Sequence, residues 1–127
     1  MRFLRPKKIL IVDDNENLVF FIKKILEASG FAVFSTTQGQ GAVDLAISSK
    51  PDVILLDILI PDKGGAEIEK YLKEVPLTRN IPIIYMTALV SKEDEDLSRQ
   101  SEQRRLLLSK PVTKERLLEI IRLALKR

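Results

Sequence analysis

The chain has 127 residues, 45% of them apolar, with 21 basic against 18 acidic side chains for a net charge of +3; this is one domain with a sizeable core and no room for a second. Cysteine and histidine are absent, which excludes disulfides, thiolate or imidazole metal ligands, His-dependent triads and a phosphohistidine carried by this chain itself. No apolar run reaches the roughly 20 residues of a membrane span, and Met1 to Leu10 lacks the apolar core of a signal peptide, so a soluble, cytoplasmic protein with no membrane insertion is expected.

Two hydrophobic periods alternate along the chain. Ile9 to Val12 is a short apolar run that ends in Asp13, Asp14 and Asn15, after which Leu18, Ile22, Ile25 and Leu26 recur at helical spacing up to Ser29-Gly30. Phe31 to Thr36 is the next strand candidate, and Gly39 to Ser48 a short helix closed by Lys50-Pro51. Val53 to Leu56 is continuously apolar, too short for a helix and flanked by Pro51 and Pro61, the pattern of a strand buried on both faces; Asp57 stands at its carboxyl end. Pro61 to Gly65 is a loop by composition, with Gly64 and Gly65 able to take backbone conformations closed to other residues. Ile68, Tyr71, Leu72 and Val75 mark an amphipathic helix that stops near Pro76, and Ile81 to Met86 is a strand ending in Thr87. Ser91 caps a charged helix through Leu97. Leu106 to Leu108 is the last strand, followed by Ser109, Lys110 and Pro111, and the final helix runs from Thr113 with Leu117, Ile120, Ile121 and Ala124 as its buried stripe.

Strand-then-helix repetition of this kind predicts an α/β fold, a doubly wound parallel sheet covered by helices on both faces with right-handed crossovers. In such open sheets the ligand crevice lies at the carboxyl ends of the strands. Asp13 and Asp14, Asp57, Thr87 and Lys110 all stand at those ends. Carboxylates brought together repel, and a hard, oxygen-rich site of this size suits Mg²⁺, whereas a hydroxyl and an ammonium opposite suit an anion. A metal, a lysine and a threonine around a carboxylate oxygen are the parts of a phosphoryl-transfer site whose acceptor is the carboxylate, which assigns Asp57 as nucleophile.

Four motifs in order carry a resemblance: Ile9-Leu10-Ile11-Val12-Asp13-Asp14, Leu55-Leu56-Asp57-Ile58-Leu59-Ile60-Pro61 with Gly65, Met86-Thr87-Ala88, and Lys110-Pro111. Over nearly its whole length the chain resembles the response regulator receiver domains of two-component signalling. The resemblance implies a flavodoxin-like sheet of order 2-1-3-4-5 and a single receiver domain over residues 1–127 with no output domain in this chain. It implies that Asp57 takes a phosphoryl group from a phosphohistidine on a sensor histidine kinase or histidine phosphotransfer protein. Asp13, Asp14, Asp57 and the backbone carbonyl of Leu59 would hold Mg²⁺, Thr87 and Lys110 would hold the phosphoryl oxygens, and the Lys110-Pro111 bond would be cis. Such a module catalyses only its own phosphorylation and dephosphorylation, acts as a monomer or a phosphorylation-linked dimer, and signals by binding a downstream protein.

Competing readings stand beside these. Asp13 and Asp14 are placed to cap the following helix; Thr87 and Lys110 are, singly, an ordinary strand residue and a surface lysine. Gly39-Gln40-Gly41 mimics a dinucleotide fingerprint, but Asp44 occupies the third glycine position. The basic residues at the two ends come without a recognition helix or aromatic stacking set, which argues against nucleic acid and leaves a solvated surface or an acidic partner. Leu107 stands where receivers commonly carry an aromatic residue that reports activation, and Ser101 to Arg105 is polar and lacks the usual Gly-Ala pair, so a degenerate receiver that binds its partner without phosphorylation is the alternative. A haloacid-dehalogenase-like phosphatase would need a second Asp two residues after the nucleophile; here that residue is Leu59. Leu59 and Leu89 offer no hydrogen bond to water, from which slow self-dephosphorylation is expected.

Overall fold

The computed structural model describes residues 5–58, 60, 64–88 and 106–126. Among them the elements are β1 (Lys8–Val12), α1 (Glu16–Ala28), β2 (Ala32–Thr36), α2 (Ala42–Ser49), β3 (Val53–Asp57), α3 (Gly65–Glu74), β4 (Ile83–Thr87), β5 (Leu106–Ser109) and α4 (Lys114–Leu125). The expected helix from Ser91, the backbone carbonyl of Leu59, Leu89, and the segments Pro61 to Lys63 and Ser101 to Arg105 lie outside the described residues.

The five strands form one parallel sheet in the order β2-β1-β3-β4-β5. Successive strand residues point to opposite faces, and that alternation divides the core. Ile9, Ile11, Val53, Leu55, Ile84, Met86, Leu106 and Leu108 pack with Ile22 and Leu26 of α1 and Leu117, Ile120 and Ile121 of α4. Leu10, Val12, Ile54, Leu56, Ile83 and Tyr85 pack on the other face with Ala42 and Ala46 of α2 and Ile68 and Leu72 of α3. All five residues of β3 are buried, as the continuous apolar run requires of a central strand. Truncating Leu55, which has no exposed surface, to alanine would cost about 2–5 kcal/mol through lost transfer energy and a residual cavity.

Local chemistry sets the element boundaries and moves several from their expected places. The α1 N-cap is Asn15, whose side chain accepts from the Leu18 N–H, so neither Asp13 nor Asp14 caps the helix. Helix α2 begins at Ala42 rather than Gly39, because Gly41 takes φ +87° at the N-cap and closes a turn before it. Phe31 falls outside β2, its N–H closing α1 on the Leu26 carbonyl. Pro82 likewise stays outside β4, yet its carbonyl accepts from Ile54 N–H at 3.0 Å.

Gly65 is needed for a reason other than backbone freedom. A Cβ there would lie 2.7 Å from the Ile58 Cα and 2.8 Å from the Asp57 carbonyl oxygen. The first turn of α3 therefore rests directly on the backbone that leaves β3, and Gly65 N–H donates to the Ile58 carbonyl at 2.9 Å.

Candidate functional site

Parallel pairing brings the strand ends to one edge. Asp57 is in register with Met86 and Thr87 with Ser109, so Asp57, Thr87 and Lys110 arrive on three neighbouring strands. The Ile58 N–H continues the ladder to the Met86 carbonyl at 3.3 Å, and Lys110 N–H donates to the Thr87 carbonyl at 3.0 Å. Asp13, one residue past β1, continues the pairing with β2 through its N–H to the Thr36 carbonyl at 3.2 Å. The placement of these side chains is thus a consequence of sheet register, which only their shared burial pattern fixes.

Asp13 has no exposed surface and Asp57 is 4% exposed, while Asp14 opens to solvent. One carboxylate oxygen from each of the three lies within 4.8 Å of the others. Lys110 supplies the balancing charge, its Nζ 2.9 Å from Asp13 Oδ2 and 3.3 Å from Asp57 Oδ2. Asp13 Oδ1 accepts from the Asn15 N–H at 2.9 Å. Thr87, 1% exposed, stands at the end of β4 beside Asp57's strand. The Lys110-Pro111 peptide bond is cis.

The electrostatics are asymmetric. Burial raises the Asp13 pKa above its ordinary value of 3.8, and the Asp57 charge adds to that, against the lowering effects of the Asn15 N–H and of Lys110. Burial alone would lower the Lys110 pKa, but its contacts with Asp13 and Asp57 outweigh this and raise it above 10.5. Lys110 meets two carboxylates for one desolvation, whereas Asp13 meets one ammonium and another carboxylate.

All five side chains picked out by the sequence, Asp13, Asp14, Asp57, Thr87 and Lys110, are gathered at this edge. Asn15 was missed as a contributor, although an Asn just before a helix is a capping signal. It links the site to α1, accepting from the helix with its side chain and donating to Asp13 with its backbone. The close contact under Gly65 has no sequence signal. Leu107 is half-buried, packed against the α2/α3 side of the core and paired in register with Tyr85.

Comparisons with known proteins agree with the fold. The family model described as response regulator receiver domain matches residues 9–122. The chain is 39% identical over 117 residues to the polar-differentiation response regulator DivK of Brucella anthropi, covering 92% of this chain and 94% of that protein. Among solved structures, the chemotaxis response regulator CheY4 of Vibrio cholerae superposes with a TM-score of 0.81 at 25% identity, covering 94% of this chain and 99% of that one. A CheY-like receiver domain protein of Methanospirillum hungatei does so with a TM-score of 0.79 at 28% identity, over 96% and 95% of the two chains. With a family model over residues 9–122 and relatives aligned over more than nine-tenths of both chains, the chain belongs to the response regulator receiver domains of two-component signalling.

Proposed function

We propose that this receiver domain is a phosphorylation-switched signalling module in which Asp57 accepts a phosphoryl group from a phosphohistidine on a sensor histidine kinase or histidine phosphotransfer protein. The observation that carries the reading is the convergence of Asp57 with Asp13, Asp14 and Lys110 at the carboxyl edge of the sheet. An Asp57 carboxylate oxygen forms the new bond to phosphorus as the bond to the donor's imidazole nitrogen breaks, and the donor recovers its lone pair. Lys110, a fixed cation within reach of Asp57, and Thr87, a hydroxyl on the adjoining strand, are the groups to hold the phosphoryl oxygens.

The donor set fits Mg²⁺. It is all oxygen, its members are close enough to share one small ion, and Asp13 Oδ2 is buried with the Lys110 ammonium 2.9 Å away as its charge partner. Asp13, Asp14 and Asp57 would hold the ion, with the Leu59 carbonyl a fourth ligand by family resemblance. Bound there, Mg²⁺ would neutralise charge that develops on the transferring phosphoryl oxygens. The exposed Phe20 and Phe21, 61% and 45% exposed on α1, the helix that follows Asp13 to Asn15, would offer apolar surface to a phosphodonor protein. Phosphorylation would add charge at the crevice and draw Thr87 and Lys110 toward it, biasing the surface around β4 and β5 that a downstream protein reads.

The test is intact mass after incubation with Mg²⁺ and acetyl phosphate, for the wild type and Asp57→Ala. One phosphoryl increment that requires Mg²⁺ and is absent from the variant is expected. No increment in the folded wild type, with a control receiver modified in parallel, would replace this reading with phosphorylation-independent binding.

A further inference from the structure

The two edges of the sheet carry opposite charge. Asp13, Asp14 and Asp57 stand at the carboxyl edge, whereas Arg5, Lys7, Lys50, Lys73, Arg79 and Lys126 all lie at the amino edge, in the segments that enter strands or leave helices there. All six are exposed, and none pairs with a carboxylate among the described residues. The carboxylates at the same edge are fewer: Glu27, Glu74 and Asp52, the last turned inward to accept from the Lys8 N–H at 2.8 Å. Compensation of helix C-termini accounts for only half of the pattern: Lys50 and Lys126 are the C-caps of α2 and α4 and Lys73 lies in the last turn of α3, but Arg5, Lys7 and Arg79 lie outside helices.

This edge is also held firmly. Lys8 Nζ donates to the Ser49 carbonyl at 3.1 Å, and the buried Thr78 hydroxyl donates to the Leu72 carbonyl at 2.6 Å. Between Thr78 and Pro76 the same connection presents Leu77, 66% exposed and the most exposed large apolar residue described.

We propose that the amino edge of the sheet docks on an anionic lipid bilayer, with Leu77 entering the headgroup region and the acidic crevice facing away from the membrane. The cations lie on separate connections spread across the edge, from the segment before β1 to the end of α4, which matches a broad charged plane. A nucleic acid would call for a helix or strand presented to a groove, or aromatic rings to stack on bases, and the exposed Phe20 and Phe21 are on α1 rather than among these connections. Each cation near an anionic membrane is worth about fivefold in partition, and an inserted apolar side chain adds to this. Docking of this kind is peripheral: no helix of the described residues is long and apolar enough to cross a membrane.

Co-sedimentation of the full chain with vesicles of phosphatidylcholine alone, or mixed with phosphatidylglycerol, tests the proposal. Binding to the mixed vesicles alone is expected, weakening steeply between about 0.05 M and about 0.3 M NaCl as the charges are screened. The double variant Lys50→Glu/Arg79→Glu should lose at least about 25-fold in partition, and Leu77→Ser about threefold, with circular dichroism and acetyl phosphate modification unchanged. No sedimentation with the mixed vesicles at about 0.1 M NaCl, or equal binding by the folded double variant, would overturn it. Retention by duplex DNA that exceeds vesicle binding and is indifferent to Leu77→Ser would overturn it in favour of a nucleic acid.

Discussion

Replacing Asp13 by asparagine tests the electrostatic account of the crevice most directly. The substitution removes one charge and keeps an oxygen to accept from the Asn15 N–H, now held at 2.9 Å. With Lys110 Nζ 2.9 Å from Asp13 Oδ2, the lost attraction is about 6 kcal/mol at an effective dielectric constant of about 20. The repulsion relieved from Asp57, whose carboxylate oxygen lies within 4.8 Å, is about 3.5 kcal/mol on the same scale. Asp14, exposed but also within 4.8 Å, adds a further, solvent-screened repulsion, so Coulomb terms alone favour the wild type by less than about 2 kcal/mol. Against them stands the desolvation of a fully buried carboxylate, several kcal/mol after relaxation. The raised Asp13 pKa says that burial and like charge win. Asp13→Asn should therefore stabilise the fold by about 1–2 kcal/mol at pH 7, or about 3–8 °C in Tm, while impairing phosphoryl acceptance.

The sign with pH follows from linkage. Because the folded-state pKa of Asp13 lies above its reference of 3.8, the native state binds this proton more tightly than the unfolded chain. The contribution of Asp13 to wild-type stability then falls as pH rises from the unfolded value through the raised folded one. The advantage of the variant is absent below that window and complete above it. Urea denaturation of both proteins at acid and neutral pH measures this. A variant less stable than wild type by more than about 1 kcal/mol at pH 7 would show that the Lys110 contact outweighs desolvation, and an advantage equal at both pH values would remove Asp13 titration as the cause.

Three further substitutions probe other parts of the argument. Gly65→Ala should cost about 2–3 kcal/mol in urea denaturation and slow modification of Asp57, because its Cβ would meet the Ile58 Cα and Asp57 carbonyl at 2.7 and 2.8 Å; a neutral result would mean that the backbone there yields easily. Lys110→Met leaves Asp13 and Asp57 without their ammonium and should cost about 2–3 kcal/mol at pH 7, with part of the loss recovered at acid pH as Asp13 protonates. In the wild type the stabilisation from the raised Lys110 pKa is complete below 10.5 and fades as pH climbs through the folded value, so the gap between the two proteins should narrow above that point. Thr78→Val removes the buried hydroxyl that donates to the Leu72 carbonyl at 2.6 Å and should lower stability by about 1–2 kcal/mol, read as a fall in Tm without change in phosphoryl acceptance.

Much of this molecule was legible from local pattern. Val53 to Leu56, an apolar run too short for a helix and flanked by prolines, reads as a strand with both faces covered, and the periodic apolar stripe of Leu117, Ile120, Ile121 and Ala124 reads as a helix face turned inward. The motif residues also ended up together, because parallel strands all deliver their carboxyl ends to the same edge. Boundaries drifted where one backbone group decided them: Gly41 at positive φ delays α2, and the Phe31 N–H is spent on closing α1.

What the linear order determined, then, was which residues are apolar at which period and which polar residues terminate the strands. Tertiary structure alone decided that Lys110 sits nearer to Asp13 than to Asp57 and that Gly65 is fixed by contact with the Asp57 backbone. Periodicity depends on each residue's own hydrophobicity and neighbours a few positions away, so it survives in the sequence. Distances between charges on different strands depend on register and packing across the whole sheet, and no local pattern encodes them.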